Sequence, residues 1–149
     1  GTGEVLTNWE ELKRKEKGQA TNTDALDAVA RSLPALWRAE KVQKKAKKAG
    51  FDWPDISGAL DKLSEELEEL KTAVAQGTNV EEELGDLLFS AVNVSRFLKA
   101  DPEVALGKAT DKFISRFAKV EALAAAQNQA MEGMTLEELD KLWERAKET

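Results

Sequence analysis

One stretch decides the fold of this chain: EELEELKTAVAQGTNVEEELGDLL, residues 65–88. Eight of its 24 residues are Glu or Asp, and they form two clusters on either side of Gly77-Thr78-Asn79. Apolar residues recur around both clusters at helical spacing, so the stretch predicts two helices joined by a tight turn. Such a hairpin either carries solvated acidic faces or brings its carboxylates together around a positive charge.

Outside this stretch the helical spacing continues in both directions. The first helix of the hairpin is predicted over 56–76, and the second over 80–99. The apolar stripe of the first helix consists of Leu60, Leu63, Leu67, Leu70 and Val74.

Further helices are predicted on both sides of the hairpin. We expect helices over 24–31 and 32–49 upstream, followed by a loop that carries an aromatic anchor. Downstream, Asp101-Pro102 opens a helix that ends near residue 127. Thr135-Leu-Glu-Glu138 is a capping box that opens the last helix.

The composition predicts an all-α fold. Only three prolines and nine glycines interrupt 149 residues that are rich in Ala, Leu, Glu and Lys. We interpret residues 24–149 as one domain and residues 1–23 as a connector, with a short helix over 8–17.

The residue types that are missing exclude several kinds of site. The chain has no Cys and no His, which excludes disulfides, His-ligated zinc sites and Ser-His-Asp triads. A bound metal must therefore be held by oxygen, as Mg²⁺, Mn²⁺ and Ca²⁺ are. A net charge of −6 argues against nucleic acid as a partner. Without an apolar run of membrane-spanning length or a signal peptide, we expect a cytoplasmic protein with no membrane partner.

Helix geometry predicts that four carboxylates share one side of the hairpin. At 100° per residue, Glu66 and Glu69 lie about 75° and 135° from the apolar stripe of their helix. Glu83 and Asp86 lie about 80° and 140° from theirs, in the same rotational sense. An antiparallel pairing then places all four on one edge, where like charges repel unless a cation such as Mg²⁺ lies between them. A solvated acidic face is the alternative, and spacing alone leaves it open.

Five blocks of the sequence resemble, in order, the MazG family of nucleoside triphosphate pyrophosphohydrolases. The family pattern EExxE, a spacer and ExxD reads Glu65–Glu69 and Glu83–Asp86 here. The other blocks are LPALWRAEKVQKKAKKAGFDWPD, EELGDLLFSAVNVSRFL, DKFISRF and TLEELDKLWERAK. The likeness runs from about Trp9 to Lys147 and looks most like the C-terminal of the two modules in the long bacterial form.

The resemblance implies a fold, a reaction and a metal. The fold is the all-α NTP pyrophosphatase fold, a helical hairpin in a four-helix-bundle-like arrangement whose core is completed by dimerisation. The reaction is Mg²⁺-dependent hydrolysis of NTP or dNTP to the monophosphate and pyrophosphate, with Mn²⁺ as a substitute metal. The metal ligands implied are the four residues that the helix geometry selects, namely Glu66, Glu69, Glu83 and Asp86.

The resemblance also implies residues that bind the nucleotide and act on it. Lys112 and Arg116 match positions that contact the phosphates, although a surface pair on a helix is the alternative reading. Trp143 and Lys147 match positions of the nucleotide site, and a Trp that only packs in the core is the alternative for Trp143. The candidates for orienting the attacking water are Glu65 and Glu82.

Two other functions are compatible with parts of the sequence, and the exposed apolar positions bear on its assembly. Glu-Glu-Leu-Gly at 82–85 resembles the end of a Nudix box, but the Arg-Glu that the box needs upstream is missing and no strand is predicted. A catalytically weak nucleotide-sensing or regulatory module is the other rival, although such a copy is expected to lose one of its carboxylates. We expect a homodimer, or a dimer of dimers, because so few helices leave apolar surface uncovered.

Overall fold

The computed structural model describes residues 8–13, 16, 18 and 20–149, and the chain divides into two compact units between Glu103 and Val104. We call them the hairpin unit and the C-terminal unit. The described residues form helices and no strand, which confirms the all-α prediction. Residues 8–13 are helical, and part of the helix predicted over 8–17 lies outside the described residues. The boundary proposed at residue 23 stays a prediction.

The hairpin unit contains the predicted helices with small shifts at their ends. They are α1 (Asn22–Asp27), α2 (Ala35–Lys48), α3 (Ile56–Gln76) and α4 (Val80–Phe97). The prediction for α2 starts too early, because the backbone of Pro34 has φ −49° and ψ 140° and helical geometry begins only after it.

The turn between α3 and α4 holds the two acidic clusters close to each other. Gly77 ends α3 in the left-handed region, with φ 70°, and Asn79 precedes α4 with φ 56°. Asn is one of the few residues other than Gly that adopt this conformation readily. At its other end, α3 begins where the Asp55 side chain accepts a 2.9 Å hydrogen bond from the Ser57 N–H. Helices α3 and α4 pack against each other, and α2 packs on α4.

The buried face of α3 differs from the predicted apolar stripe. Ala59, Glu66 and Ala73 are the buried residues of this helix, whereas Leu60, Leu67 and Val74 of the predicted stripe are 45%, 43% and 61% exposed. Within one chain, the packed face of α3 is therefore the face beside the apolar stripe. The physical reason is that alanine side chains let two helices approach closely, so the larger aliphatic groups are left on an open face.

The C-terminal unit contains two helices, the first of which begins two residues before the boundary between the units. Helix α5 spans Pro102–Ala126, a 3₁₀ turn spans Met131–Gly133, and α6 spans Leu136–Lys147. The Thr135 hydroxyl caps α6 by accepting a 3.1 Å hydrogen bond from the Glu138 N–H, which is one of the two bonds of the predicted capping box. The core of this unit consists of Val120, Ala124, Leu142 and Ala146. No helix in the described part of the chain is long and apolar enough to cross a membrane.

A candidate metal centre in the hairpin unit

Three of the four predicted carboxylates converge between α3 and α4. Oxygen atoms of Glu66, Glu83 and Asp86 all lie within 4.8 Å of one another. Glu66 is only 5% exposed, since it occupies the packed face of α3 between Ala59 and Ala73. Two regular helices, one on each side of a three-residue turn, thus hold the cluster in a fixed geometry.

The cluster contains carboxylate oxygens that no protein group satisfies. Oε2 of Glu66 and Oε2 of Glu83 are buried, and neither has a hydrogen-bond partner. A buried carboxylate oxygen without a partner is unfavourable, and like charges at this separation repel each other. A divalent cation with oxygen ligands removes both penalties, so the donor set fits Mg²⁺.

The fourth predicted ligand, Glu69, lies beside the cluster rather than inside it. A hydrogen bond with Glu66 is the main cause that raises the pKa of Glu69 above its usual value of 4.5. The negative charges of Glu66, Glu83 and Glu65 raise that pKa further. Glu69 is one turn along α3 from Glu66, which places the two carboxylates side by side on the same helix.

Lys62 is a member of this centre that the sequence analysis did not single out. Its Nζ lies 3.1 Å from a carboxylate oxygen of Glu66 and 3.4 Å from one of Glu65. The hydrogen bond with Glu66 is the main cause that raises the pKa of Lys62. A Lys four residues before a buried Glu on one helix is the sequence signal that points to this contact.

Two grooves meet at the carboxylate cluster. The first, which we call the acidic groove, has a volume of about 510 Å³ and is lined by Glu65, Glu68, Glu69 and Glu83. The second, which we call the aromatic groove, has a volume of about 760 Å³. Its lining includes Glu66, Asp86, Phe51, Trp53 and Phe89. The cluster therefore contributes side chains to both grooves.

The two candidates for orienting a water occupy different environments. Glu65 lines the acidic groove and pairs with Lys62. Glu82 is exposed in the first turn of α4 and belongs neither to the lining of the two grooves nor to the cluster. Of the two candidates, Glu65 is thus the one that lines a groove at the cluster.

The loop before α3 is fixed at one wall of the aromatic groove. Arg96 donates two hydrogen bonds to the Asp52 carboxylate, and its Nε and Nη2 also donate to Oδ1 of Asn93 at 3.1 and 2.7 Å. The Trp53 ring lies so close to Gly58 that a Cβ there would be 2.8 Å from its Cε3. The contact between Arg96 and Asp52 joins residues 44 positions apart and carries no local sequence signal.

The predicted nucleotide-binding residues lie in the C-terminal unit. The Arg116 guanidinium carbon is 5.9 Å from the centroid of the Trp143 ring, a cation–π contact. Trp143 is half-buried against the core of the unit, and Phe113 lies 5.3 Å from it. Nζ of Lys147 is 3.2 Å from a Glu144 carboxylate oxygen, and Lys112 is exposed. Arg116 and Trp143 are thus in contact with each other, and Trp143 also packs against the core of its unit.

Comparison with known proteins identifies the family of residues 56–121, which match the model of the MazG nucleotide pyrophosphohydrolase domain. The chain is 43% identical over 150 residues to a nucleoside triphosphate pyrophosphohydrolase of Escherichia coli K12, covering 98% of this chain and 57% of that protein. It is 46% identical over 145 residues to the nucleoside triphosphate pyrophosphohydrolase/pyrophosphatase MazG of Thermotoga maritima, covering 97% and 56%. The chain thus spans little more than half the length of these relatives.

Proposed function

The chain belongs to the MazG family, and on this premise we propose that it hydrolyses nucleoside triphosphates, ribo or deoxyribo, to the monophosphate and pyrophosphate. The observation that carries the proposal is the cluster of Glu66, Glu83 and Asp86, whose oxygens lie within 4.8 Å of one another. Glu66 and Glu83 each also have a carboxylate oxygen, Oε2, that is buried without a hydrogen-bond partner, as expected of a site that takes a cation.

In this proposal Glu66, Glu69, Glu83 and Asp86 hold Mg²⁺, with Mn²⁺ as a substitute. Mg²⁺ prefers carboxylate oxygens and keeps other positions for water and phosphate. When bound, it supplies charge neutralisation for the phosphates and lowers the pKa of a coordinated water. Helices α3 and α4 fix the ligands before the substrate arrives, so little reorganisation is needed on binding.

The remaining residues of the proposal bind the substrate and orient the water. Glu65 accepts a hydrogen bond from the attacking water, and Lys62 balances the charge of Glu65 and Glu66 while no metal is bound. Lys112 and Arg116 bind the phosphates as cationic donors. Trp143 and Lys147 complete the nucleotide contacts.

We also propose that the chain forms a homodimer, alone or as a dimer of dimers. One face of α3 and one of α4 expose aliphatic side chains that a monomer leaves in water. These are Leu60, Leu67 and Val74 on α3, and Val80, Leu84 and Leu88 on α4. A second copy would bury this face, since two such hairpins have the geometry of a four-helix bundle. Sedimentation of the chain as a monomer at micromolar concentration, together with turnover, would contradict this.

A product assay tests the proposed reaction. The chain is incubated with a panel of NTPs and dNTPs, with Mg²⁺ or with EDTA, and the products are separated by ion exchange. We expect monophosphate and pyrophosphate, lost with EDTA and in Glu69→Gln and Asp86→Asn. The control is Asp61→Asn, an exposed carboxylate of α3 outside both grooves, which should keep activity.

Two other results of this assay would change the proposal. Diphosphate and phosphate as products would mean that the metal centre acts on a different bond. The absence of any product, from a protein that still binds nucleotide in a separate titration, would favour the nucleotide-sensing module instead.

A further inference from the structure

Phe51 is exposed although the loop that carries it is fixed. Its side chain is 83% exposed, while its backbone N–H donates a 2.9 Å hydrogen bond to the Ala46 carbonyl at the end of α2. The next residue, Asp52, is held by Arg96, and the one after it, Trp53, packs on Gly58. Fraying therefore does not explain the exposure, and an exposed aromatic ring on an ordered loop is typical of a binding surface.

The aromatic groove leads from this loop to the candidate metal centre. Glu66 and Asp86 of the cluster line it together with Phe51 and Trp53. One part of the groove thus offers metal-binding oxygens and another offers aromatic faces. The two parts of a nucleotide match these two parts of the groove, because its phosphates require cations and its base presents a flat π-face that can stack on an aromatic ring. The acidic groove, lined by four carboxylates, offers no aromatic side chain among its lining residues.

We propose that the aromatic groove is the nucleoside subsite of this enzyme and that Phe51 stacks on the base. This inference rests on the proposed function and extends it to the part of the substrate that the carboxylates do not contact. Stacking on one aromatic face tolerates every base, since all bases have a π-face. We therefore expect the subsite to accept purine and pyrimidine triphosphates and to discriminate poorly among them at Phe51.

The groove volume is consistent with this assignment. About 760 Å³ lies within the range of ligand pockets in proteins and leaves room for a base and a sugar beside ordered water. Arg96 and Asp52 position Phe51, because their ion pair fixes the loop that carries it.

The test is binding rather than turnover, so that it can fail independently of the proposed reaction. Two probes are titrated calorimetrically in Mg²⁺: an α,β-methylene nucleoside triphosphate, which keeps the base, and inorganic tripolyphosphate, which lacks it. We expect Phe51→Ala to weaken binding of the nucleotide analogue about tenfold and to change binding of tripolyphosphate by less than about twofold. Phe51→Trp, which restores an aromatic face, should bind the analogue like the wild type.

Leu136→Ala is the matched control. Leu136 is also 83% exposed, but it lies in the first turn of α6 and is absent from the lining of both grooves. Its removal should leave both affinities unchanged. This separates the loss of a base contact from the general effect of removing a large exposed apolar side chain.

Three results would overturn the inference. Equal effects of Phe51→Ala on both probes would show that Phe51 does not contact the base, and so would the absence of any effect. A shift from dimer to monomer on sedimentation of Phe51→Ala would make Phe51 an interface residue instead.

A further result would separate this inference from the proposed reaction. A wild type that binds the analogue through Phe51 but turns over no NTP would contradict the proposed reaction and leave the nucleoside subsite unaffected.

Discussion

The Arg96 guanidinium holds the Asp52 carboxylate by two hydrogen bonds, of 3.0 and 2.6 Å, and the two side chains are only 7% and 12% exposed. A buried charge that loses its partner keeps its desolvation penalty, so Asp52→Ala should lower the free energy of unfolding by about 3–5 kcal/mol. Urea denaturation followed by tryptophan fluorescence measures the loss. Lys71→Ala, which breaks the exposed pair with Glu68, should cost less than about 1 kcal/mol. A similar cost for both variants would contradict the prediction.

Metal affinity should rise with pH through the titration of Glu69. The pKa of Glu69 is raised above 4.5, mainly by the hydrogen bond with Glu66. At a pH just above 4.5, the folded, metal-free protein therefore binds more protons than the unfolded chain does. The stability of the metal-free protein therefore falls as the pH rises through the raised pKa. Mg²⁺ must displace the same proton, and its binding should release protons in this window and not at higher pH.

Calorimetric titration of Mg²⁺ in two buffers of different ionisation enthalpy measures this proton release. Glu69→Gln should abolish it. Proton release that is the same in Glu69→Gln and the wild type would assign the titration to another group.

Glu83→Gln should separate stability from activity. The substitution removes one negative charge from the cluster, which should stabilise the metal-free protein by about 1 kcal/mol. It also removes a proposed ligand, so turnover should fall at least about 100-fold and Mg²⁺ should no longer raise the melting temperature. Thermal unfolding with and without Mg²⁺ tests both statements. Glu81→Gln, an exposed neighbour in the same helical turn, should change stability by less than about 0.5 kcal/mol.

Gly58→Ala should destabilise the hairpin unit although it lies inside α3. Alanine normally improves a helix by about 0.5–1 kcal/mol over glycine. Here the new Cβ would lie 2.8 Å from Cε3 of Trp53, so the ring must move, at a cost of about 1–3 kcal/mol. Gly107→Ala in α5 meets no atom within 4 Å and should be stabilising. Equal gains in stability for both variants would show that Trp53 moves freely.

Trp143 is predicted to matter for packing as well as for nucleotide binding. It contacts the core of the C-terminal unit and the Phe113 ring, so Trp143→Ala should cost about 3–5 kcal/mol of stability. Trp143→Phe should restore most of that stability. If it also restores the KM for NTP, the indole ring is needed for packing only. A KM that stays raised in the well-folded Phe variant assigns Trp143 to the nucleotide.

The hairpin could be predicted because its signals are local. Asp55 at the start of α3 and Gly77 at its end mark the helix, whose observed bounds match the prediction. The i,i+3 spacing of Glu83 and Asp86 places both on one side of α4, where they meet Glu66. Helix periodicity is a property of neighbouring residues, so one sequence is enough to find it.

Other features could not be predicted because they join distant parts of the chain. The contact of Asp52 with Arg96 and that of Gln43 with the Phe89 carbonyl link residues 44 and 46 positions apart. Periodicity also could not tell which of two adjacent faces of α3 is buried. Leucine at 60 and 67 suggests one face, yet close packing of the helices selects Ala59 and Ala73 on the next.

The short turn at Gly77–Asn79 has a consequence for how sequences of this kind can diverge. Glu66 and Asp86 are held in register by two helices and three connecting residues, two of which have positive φ. One residue inserted within α4 before Glu83 would rotate the following side chains by about 100° and carry the ligand oxygens away from Glu66. We therefore expect insertions and deletions to be excluded between positions 66 and 86 and accepted in the segment 127–135, which joins α5 to α6.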